Sequence, residues 1–376
     1  MPGVLPYDNG IAPVIKWPAE KIPTELHDMI NRLPKNYHFN PQMKHIFESM
    51  MEENTADDEP LSPCIEIYSS KGGPVTPPWE FYYTNRIFLG EGVPRSNKKD
   101  LKGCDCIGPC DPKSRTCACV KRQMAWTGGD KSIKGFLYNK KGKLLDPGYP
   151  VFECNDTCEC SDECMNRVIQ HGRKSAISIM LTKGKGWGVF ADEKIPRGTY
   201  LGIYSGEMLL EDEAHERGKL YDKFGRTYLF DMDFYHLRKL DEDNQKLSGK
   251  KPANPPKKEE RVSSTYTIDA FHVGNFTRFL NHSCDPNCQI TASYVNEPDL
   301  HKPTLTIYTC RDVPKGEELT FAYFGANDDE DDEEEEEVDE HGQKKVKVVG
   351  GPSTHKNQAV HRPCLCGAPN CRGEMF

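Results

Sequence analysis

Nine cysteines between Cys104 and Cys164 constrain this chain more than any other feature. They read Cys104-x-Cys106-x3-Cys110-x6-Cys117-x-Cys119, then Cys154-x3-Cys158-x-Cys160-x3-Cys164. The surrounding stretch, from about 60 to 165, is rich in Pro, Gly and Lys and has little periodicity. Such a segment cannot bury enough apolar surface to fold without help from metal. The start, MPGVLPYDNG, has no basic region leading into an apolar run, so a secretory signal is not expected. Outside an oxidising compartment, clustered cysteines point to zinc rather than disulfides. Tetrahedral zinc takes four thiolates, and nine cysteines do not divide into such sites. If three thiolates each bridge two metals, however, nine cysteines satisfy three zinc ions. The C-x-C steps also suit neighbouring metals that share ligands. The expected unit is a triangular three-zinc cluster of formal charge about −3, which Lys98, Lys99, Lys102, Lys113, Arg115, Lys121 and Arg122 could offset.

A second set, Cys364-x-Cys366-x4-Cys371, supplies three ligands and needs a fourth. Cys284, within Asn281-His-Ser-Cys-Asp-Pro-Asn287, is the candidate; the alternative is a ligand from another chain. Closure through Cys284 would fold the tail over Asn281 and His282, so that metal organises a pocket as well as the fold. Cys64, Cys288 and Cys310 remain as ordinary thiols.

The length of 376 residues suits two or three domains. No apolar run approaches the ~18 residues of a membrane span. The net charge of −9 is a local matter, because Asp328 to Glu340 holds twelve acidic residues and one valine. Without them 46 acidic residues face 49 basic ones, and no global charge argument about nucleic acid is available.

Helical spacing covers Thr24–Leu33 and Pro41–Glu53, the latter through Met43, Ile46, Phe47, Met50 and Met51. From about 170 the pattern becomes short strands separated by turn residues: 177–181, 188–191, 200–204, 228–231, 265–269, 304–308 and 319–323. A charged helix is expected over Glu207–Lys219. The chain is therefore mainly β with few helices. It divides into an N-terminal helical appendage (1–60), a zinc-cluster domain (61–168), a strand-rich domain (169–325) with a flexible insertion (241–264), an acidic and polar linker (326–360) and a terminal zinc segment (361–376).

Gly186-Trp-Gly-Val, Tyr204-Ser-Gly-Glu207, Arg278-Phe-Leu-Asn-His-Ser-Cys-Asp-Pro-Asn287, Glu318-Leu-Thr-Phe-Ala-Tyr323 and the terminal Cys-x-Cys-x4-Cys occur in this order. Together they resemble the SET-domain lysine methyltransferases. The flanking cysteine segments resemble the pre-SET and post-SET regions of the suppressor-of-variegation class, which methylates lysine 9 of histone H3. The lack of a chromodomain makes the chain most similar to compact fungal members. The resemblance implies small curved β-sheets with a knot-like crossing, in which Asn281–Cys284 passes beneath a later loop. It also implies S-adenosylmethionine as methyl donor, three zinc ions in the pre-SET cluster and one in the post-SET site. The histone H3 tail is the implied partner, with chromatin-associated proteins besides, in the nucleus at heterochromatin, for a monomeric enzyme. Direct nucleic-acid binding is left open, since the lysines near the metal segment have no stacking aromatics among them.

Carried over by residue, Gly186, Trp187, Gly188, Tyr228, Arg278, Asn281 and His282 would hold the cofactor. Tyr204 and Tyr323 would line a lysine channel with Phe321 beside it, and Phe230, Asp231 and Asp233 would face the basic peptide. Leu181 replaces a frequent basic residue, and Glu374 a frequent aromatic; Lys183 or Lys185, and Met375 or Phe376, could compensate.

Methyl transfer from a sulfonium to an amine is an in-line displacement, so alignment dominates. Holding both partners in attack geometry can supply ~7–11 kcal/mol. The amine, with an ordinary pKa of about 10.4, must first lose its proton, which an apolar channel and a nearby cation both favour. No general base is assigned, and His282 is read as an anchor. Phenylalanine at 321 leaves room for a methylated nitrogen to rotate, so trimethyl-lysine is the expected product. Two rival readings are a catalytically weak zinc scaffold that binds chromatin partners and a zinc-dependent nucleic-acid binder.

Overall fold

The computed structural model describes residues 36–69, 72–78, 81–127, 130–224, 228–237, 239–240, 265–323 and 363–374, with short strands at 337–338 and 344–345. The helix expected over Thr24–Leu33, the insertion 241–264, nearly all of the linker 326–360, and Met375 and Phe376 lie outside the described residues.

Three small sheets hold the strand-rich part together. One has five strands in the order Glu66–Tyr68, Ile177–Thr182, Gly186–Ala191, Glu318–Phe321 and Asn281–His282. A second orders Phe88–Leu89, Glu207–Leu210, Tyr266–Asp269 and Leu229–Asp231. The third orders Val151–Phe152, Cys288–Tyr294, Thr304–Thr309 and Tyr200–Ile203. Ile177, Ile179, Val189, Ala191, Leu201, Ile307 and Leu319 are wholly inaccessible and fill the space between sheets, as β-branched residues do on pleated surfaces.

The helix Pro41–Thr55 belongs to the same core. Asn40 caps it by accepting from Gln42 N–H at 3.0 Å, and Pro41 opens it. Met43, Phe47 and Met51 lie one turn apart and enter the core with Phe81 and Phe279. Ile46 of the expected apolar face instead stands exposed. Truncating Phe47 to alanine would cost ~3–5 kcal/mol.

Two local expectations need correction. Glu207–Leu210 is a strand paired with Tyr266–Asp269, and the helix runs Glu211–Phe224. Glu207, Met208 and Leu209 are all buried, which an exposed helix face does not allow. Glu211, Asp212 and Glu213 then occupy the first helical turn, where the macrodipole favours negative charge. The seven-residue strand Cys288–Tyr294 was not expected at all. Its Thr291 and Ser293 side chains are buried but satisfied: the Ser293 and Thr306 hydroxyls meet at 2.6 Å, and Thr291 Oγ1 donates to Pro147 O at 3.3 Å.

The cysteine-rich segment has one α-helix among its described residues, Ala118–Ala125, beside a sulfur core that includes Val120 and Phe136. It is joined to the sheets rather than tethered. Val151–Phe152 pairs in parallel with Ser293–Tyr294. The Phe152 ring stacks on Tyr294 at 4.6 Å and on Trp126 at 5.6 Å. The Tyr138 and Tyr308 hydroxyls meet at 2.7 Å, and Tyr138 also donates to the buried Glu153.

Candidate active site and metal centres

The nine clustered cysteines converge. Three sets of four have all their sulfurs within 4.8 Å of one another: Cys104, Cys106, Cys110 and Cys117; Cys104, Cys119, Cys154 and Cys158; Cys104, Cys110, Cys154 and Cys160. Only Cys104, Cys110 and Cys154 recur, the same number of shared thiolates that the ligand count demands. Cys106 and Cys117 attend the Cys104–Cys110 pair, and Cys119 and Cys158 attend Cys104–Cys154. Cys160 and Cys164 are left for the pair Cys110–Cys154, and Cys164 Sγ lies 3.9 Å from Cys154 Sγ. Other sulfur separations are 3.5 Å (Cys104–Cys110), 3.8 Å (Cys110–Cys154) and 3.4 Å (Cys119–Cys158). Sulfurs ~2.3 Å from a tetrahedral zinc stand ~3.8 Å apart, so donor type and spacing both fit zinc.

The expected charge compensation is only partly realised. Arg122 Nη2 lies 3.8 Å from Cys119 Sγ, whereas Lys98, Lys99, Lys102, Lys113, Arg115 and Lys121 are exposed and reach no sulfur. Arg167, which no spacing rule pointed to, sits 3.5 Å from Cys160 Sγ. Asn155 N–H and Asn166 Nδ2 donate to Cys158 and Cys154 sulfurs at 3.2 and 3.6 Å. These short-range donors stabilise thiolates that distant, hydrated lysines do not.

The second set closes within the chain. The sulfurs of Cys284, Cys364, Cys366 and Cys371 lie within 4.8 Å of one another, Cys284 and Cys364 at 3.9 Å. Asn370 Nδ2 donates to Cys284 O at 3.1 Å. The C-terminal segment is thereby held over residues 281–284, and no second chain is needed to complete the ligand set. A cleft of about 230 Å³ lies between, lined in part by Lys185, His282, Ser283, Glu318, Cys366 and Gly367.

Asn281 and His282 form a two-residue parallel strand beside Thr320 and Phe321. Asn281 Nδ2 donates to Glu318 Oε1 at 2.8 Å and to Trp187 O at 3.2 Å, and the Lys185 ammonium pairs with the other Glu318 oxygen. A Cβ at Gly188 would come within 2.6 Å of Glu318 Oε1 and 3.0 Å of Asn281 Nδ2, so only glycine fits. Gly186 needs its glycine for a φ of 79° and faces open space. The Trp187 indole is half-buried against the core. Glu318 thus ties both motifs together; sequence reading placed it in a motif without a role. Asn287 does similar work, donating to Glu318 O at 2.7 Å and accepting from Thr320 N–H at 2.9 Å.

Arg278 is held from within. Its guanidinium lies 3.9 Å from the Phe81 ring and 4.3 Å from the Tyr228 ring, and it donates to Ala270 O and Phe271 O. Cation–π contacts of this kind are strongest when desolvated, and they fix the orientation of Tyr228.

Tyr204, Phe230, Phe321 and Tyr323 form a run of rings, with successive centroids 5.8, 6.4 and 4.9 Å apart. Tyr204 Oη donates to Tyr228 O at 3.0 Å, and Tyr323 Oη donates to Leu280 O at 2.9 Å. Burial raises the pKa of both phenols, so both stay protonated and their remaining lone pairs are acceptors. The Tyr323 backbone N–H donates to His282 Nδ1 at 3.1 Å. Phe230 and Asp231 lie on Leu229–Asp231, an edge strand whose outer backbone groups face no neighbouring strand among the described residues. Asp231 accepts from Thr267 Oγ1 at 2.6 Å, and Asp233 is exposed just beyond.

A Pre-SET motif model matches residues 54–167 and a SET domain model matches residues 186–324. Among curated relatives, a histone-lysine N-methyltransferase described as H3 lysine-9 specific, from Cryptococcus neoformans, is 38% identical over 93% of this chain and 21% of its own length. Su(var)3-9 of Drosophila melanogaster is 32% identical over 79% of this chain and 39% of its own. The chain spans 21% to 62% of the first curated relatives it matches. Among solved structures, Arabidopsis thaliana SUVH6 in complex with SAM has a TM-score of 0.57 and 28% identity, over 83% of this chain and 53% of that one. A structure described as the structural basis for the product specificity of histone lysine methyltransferases has a TM-score of 0.54 and 30% identity, over 69% of this chain and 94% of that one. With small β-sheets, Asn281–His282 paired in parallel with Thr320–Phe321 and two cysteine groups, and with the Pre-SET and SET models matched along the chain, the chain belongs to the SET-domain histone lysine methyltransferases of the suppressor-of-variegation class.

Proposed function

We propose that this chain transfers the methyl group of S-adenosylmethionine to lysine 9 of histone H3, through to trimethyl-lysine, on chromatin in the nucleus. The support for lysine 9 is the specificity named for the Cryptococcus relative, and for the donor the SAM complex of SUVH6. In this reading residues 61–168 are the pre-SET unit, 169–325 the catalytic unit and 361–376 the post-SET segment.

The observation that carries the reading is the aromatic run Tyr204–Phe230–Phe321–Tyr323 with both phenol hydroxyls tied to backbone carbonyls. Such a channel is apolar along its walls and offers only acceptors at its end. It therefore binds a lysine stem, excludes water and favours the uncharged amine. S-adenosylmethionine supplies an electrophilic methyl. Gly186, Trp187, Gly188, Asn281 and His282 are the residues we assign to its side of the channel, with Tyr228 oriented by Arg278. The polar Asn281–Glu318–Lys185 group and the small open surface at Gly186 suit a zwitterionic, nucleoside-bearing ligand. Leu229–Asp231 can add the peptide as a strand at its free edge, with Asp231 and Asp233 opposite basic side chains.

The test is incubation of purified protein with labelled donor and histone H3, intact or with each candidate lysine replaced. Incorporation that disappears only when lysine 9 is replaced is the expected result; incorporation at a different lysine, or none, refutes the reading.

A further inference from the structure

The face of the cysteine-rich segment around Ala118–Ala125 has a surplus of charge that the fold does not use. Residues 98 to 143 hold twelve Lys and Arg against four Asp and Glu. Arg122 turns inward to Glu153 O and the sulfurs, and Lys143 donates to Thr199. The other ten are exposed, and among the described residues their side chains form no ion pair or hydrogen bond. Six of them fall into two groups. The Arg122 guanidinium donates to Lys102 O, which brings the Lys98–Lys102 stretch against the helix that carries Lys121. Gly135 packs so closely on Pro112 that a Cβ would lie 2.0 Å from its carbonyl, which places Lys113 beside Lys134.

We propose that this face docks the phosphate backbone of duplex DNA. The proposal rests on the histone methyltransferase reading, because a histone tail is presented next to wrapped DNA. Unpaired exposed lysines release condensed counterions when they meet phosphates, the main source of sequence-independent affinity. Base-stacking recognition of single strands needs exposed aromatics, and no aromatic between residues 98 and 143 is exposed; Trp126 is half-buried, and Phe136 and Tyr138 are buried. The face also adjoins the substrate side. Trp126, directly after the helix, meets the His236 ring edge-on at 5.8 Å, and His236 follows the edge strand Leu229–Asp231 by five residues.

The experiment compares the zinc-loaded full chain with a variant combining Lys98→Gln, Lys99→Gln, Lys102→Gln and Lys121→Gln. Binding of a short labelled DNA duplex is titrated across salt concentrations, and methylation is measured on nucleosomes and on free H3 peptide. We expect the log–log salt slope to fall by ~3–4, about 0.9 per lost phosphate contact, and duplex affinity by at least about tenfold. Nucleosome methylation should fall in proportion, with zinc content and peptide methylation unchanged. Unchanged duplex affinity and slope would overturn the proposal, as would tighter binding of single-stranded RNA, or better competition by polyglutamate than by duplex. Absence of peptide methylation by the unmodified chain would defeat the enzyme reading alone, since the duplex titration is read separately.

Discussion

Tyr323 N–H donates to Nδ1 of His282, and Nε2 of the same ring lies 3.5 Å from Cys284 Sγ. Because Nδ1 accepts, the ring proton is on Nε2 and is directed at a sulfur of the C-terminal set. Burial holds the imidazole pKa below its ordinary value, with Arg372 acting in the same direction, so the ring is neutral and both nitrogens are occupied. We therefore propose that His282 is a positioning residue between Tyr323 and the C-terminal cysteine set. His282→Ala should leave the Tyr323 N–H unsatisfied, a cost of ~1–3 kcal/mol. Zinc content should drop by about one equivalent together with activity. Full zinc occupancy with activity alone abolished would instead make His282 a base.

Tyr323→Phe removes the hydroxyl that donates to Leu280 O and that we propose as an acceptor at the channel end. Misplacing a reacting group by about an ångström costs on the order of 10²-fold. We expect kcat to fall by about that factor with peptide KM little changed, as for an interaction made in the transition state. Steady-state kinetics on H3 peptide check it; a loss confined to KM would place Tyr323 in ground-state binding.

Phe321 stands between Phe230 and Tyr323 with its ring buried. A hydroxyl added there would hold the amine or a water and hinder rotation of a methylated nitrogen. Phe321→Tyr should therefore stop at mono- or dimethyl-lysine under excess donor, while the first transfer stays within about tenfold of the parent. Mass spectra of peptide products decide it, and trimethyl product from the variant would show that the channel is wider than these rings imply.

Legibility from sequence followed the kind of physics each residue uses. Cysteines announce themselves through spacing and count, so both metal sets, including the remote Cys284, could be read from the chain. Strands rich in Val, Ile and Phe were visible for the same reason. Cys288–Tyr294 was hidden because its buried Thr291 and Ser293 are polar, satisfied by Pro147 O and the Thr306 hydroxyl. Glu318 and Arg167 were missed because their importance lies in contacts across 37 residues to Asn281 and 7 to Cys160, which no local pattern encodes. The parallel pairing of Asn281–His282 with Thr320–Phe321 was not legible, because a two-residue strand carries no periodicity.

Shared and terminal cysteines should behave differently. Cys104 belongs to three overlapping sulfur sets and Cys106 to one. Cys106→Ser should retain most of the metal, because oxygen or water can complete a terminal position. Cys104→Ser removes a bridge between ions and should cost more than one zinc equivalent and most of the folded segment. Elemental analysis beside circular dichroism measures both, and equal losses in the two variants would argue against bridging. Chelation should abolish methylation through unfolding.

Glu207 and Asp269 face each other across paired strands, and both bind the one guanidinium of Arg217, at 2.6 and 2.9 Å. All three are buried, and Glu207 Oε1 has no hydrogen-bond partner among the described residues. Burial outweighs Arg217 and raises the Glu207 pKa to about 7. Its folded pKa therefore exceeds its unfolded one, and the native state holds this proton more tightly than the unfolded chain does. The contribution to stability is complete below about pH 4.5. It declines as pH rises towards about 7. Glu207→Gln makes the neutral form permanent and should flatten the slope between those values, matching or exceeding the parent at alkaline pH. Arg217→Met strands the Asp269 charge and should cost ~3–5 kcal/mol. Denaturant titrations at several pH values test the pair: a parental slope that survives Glu207→Gln would mean that another group supplies the proton linkage.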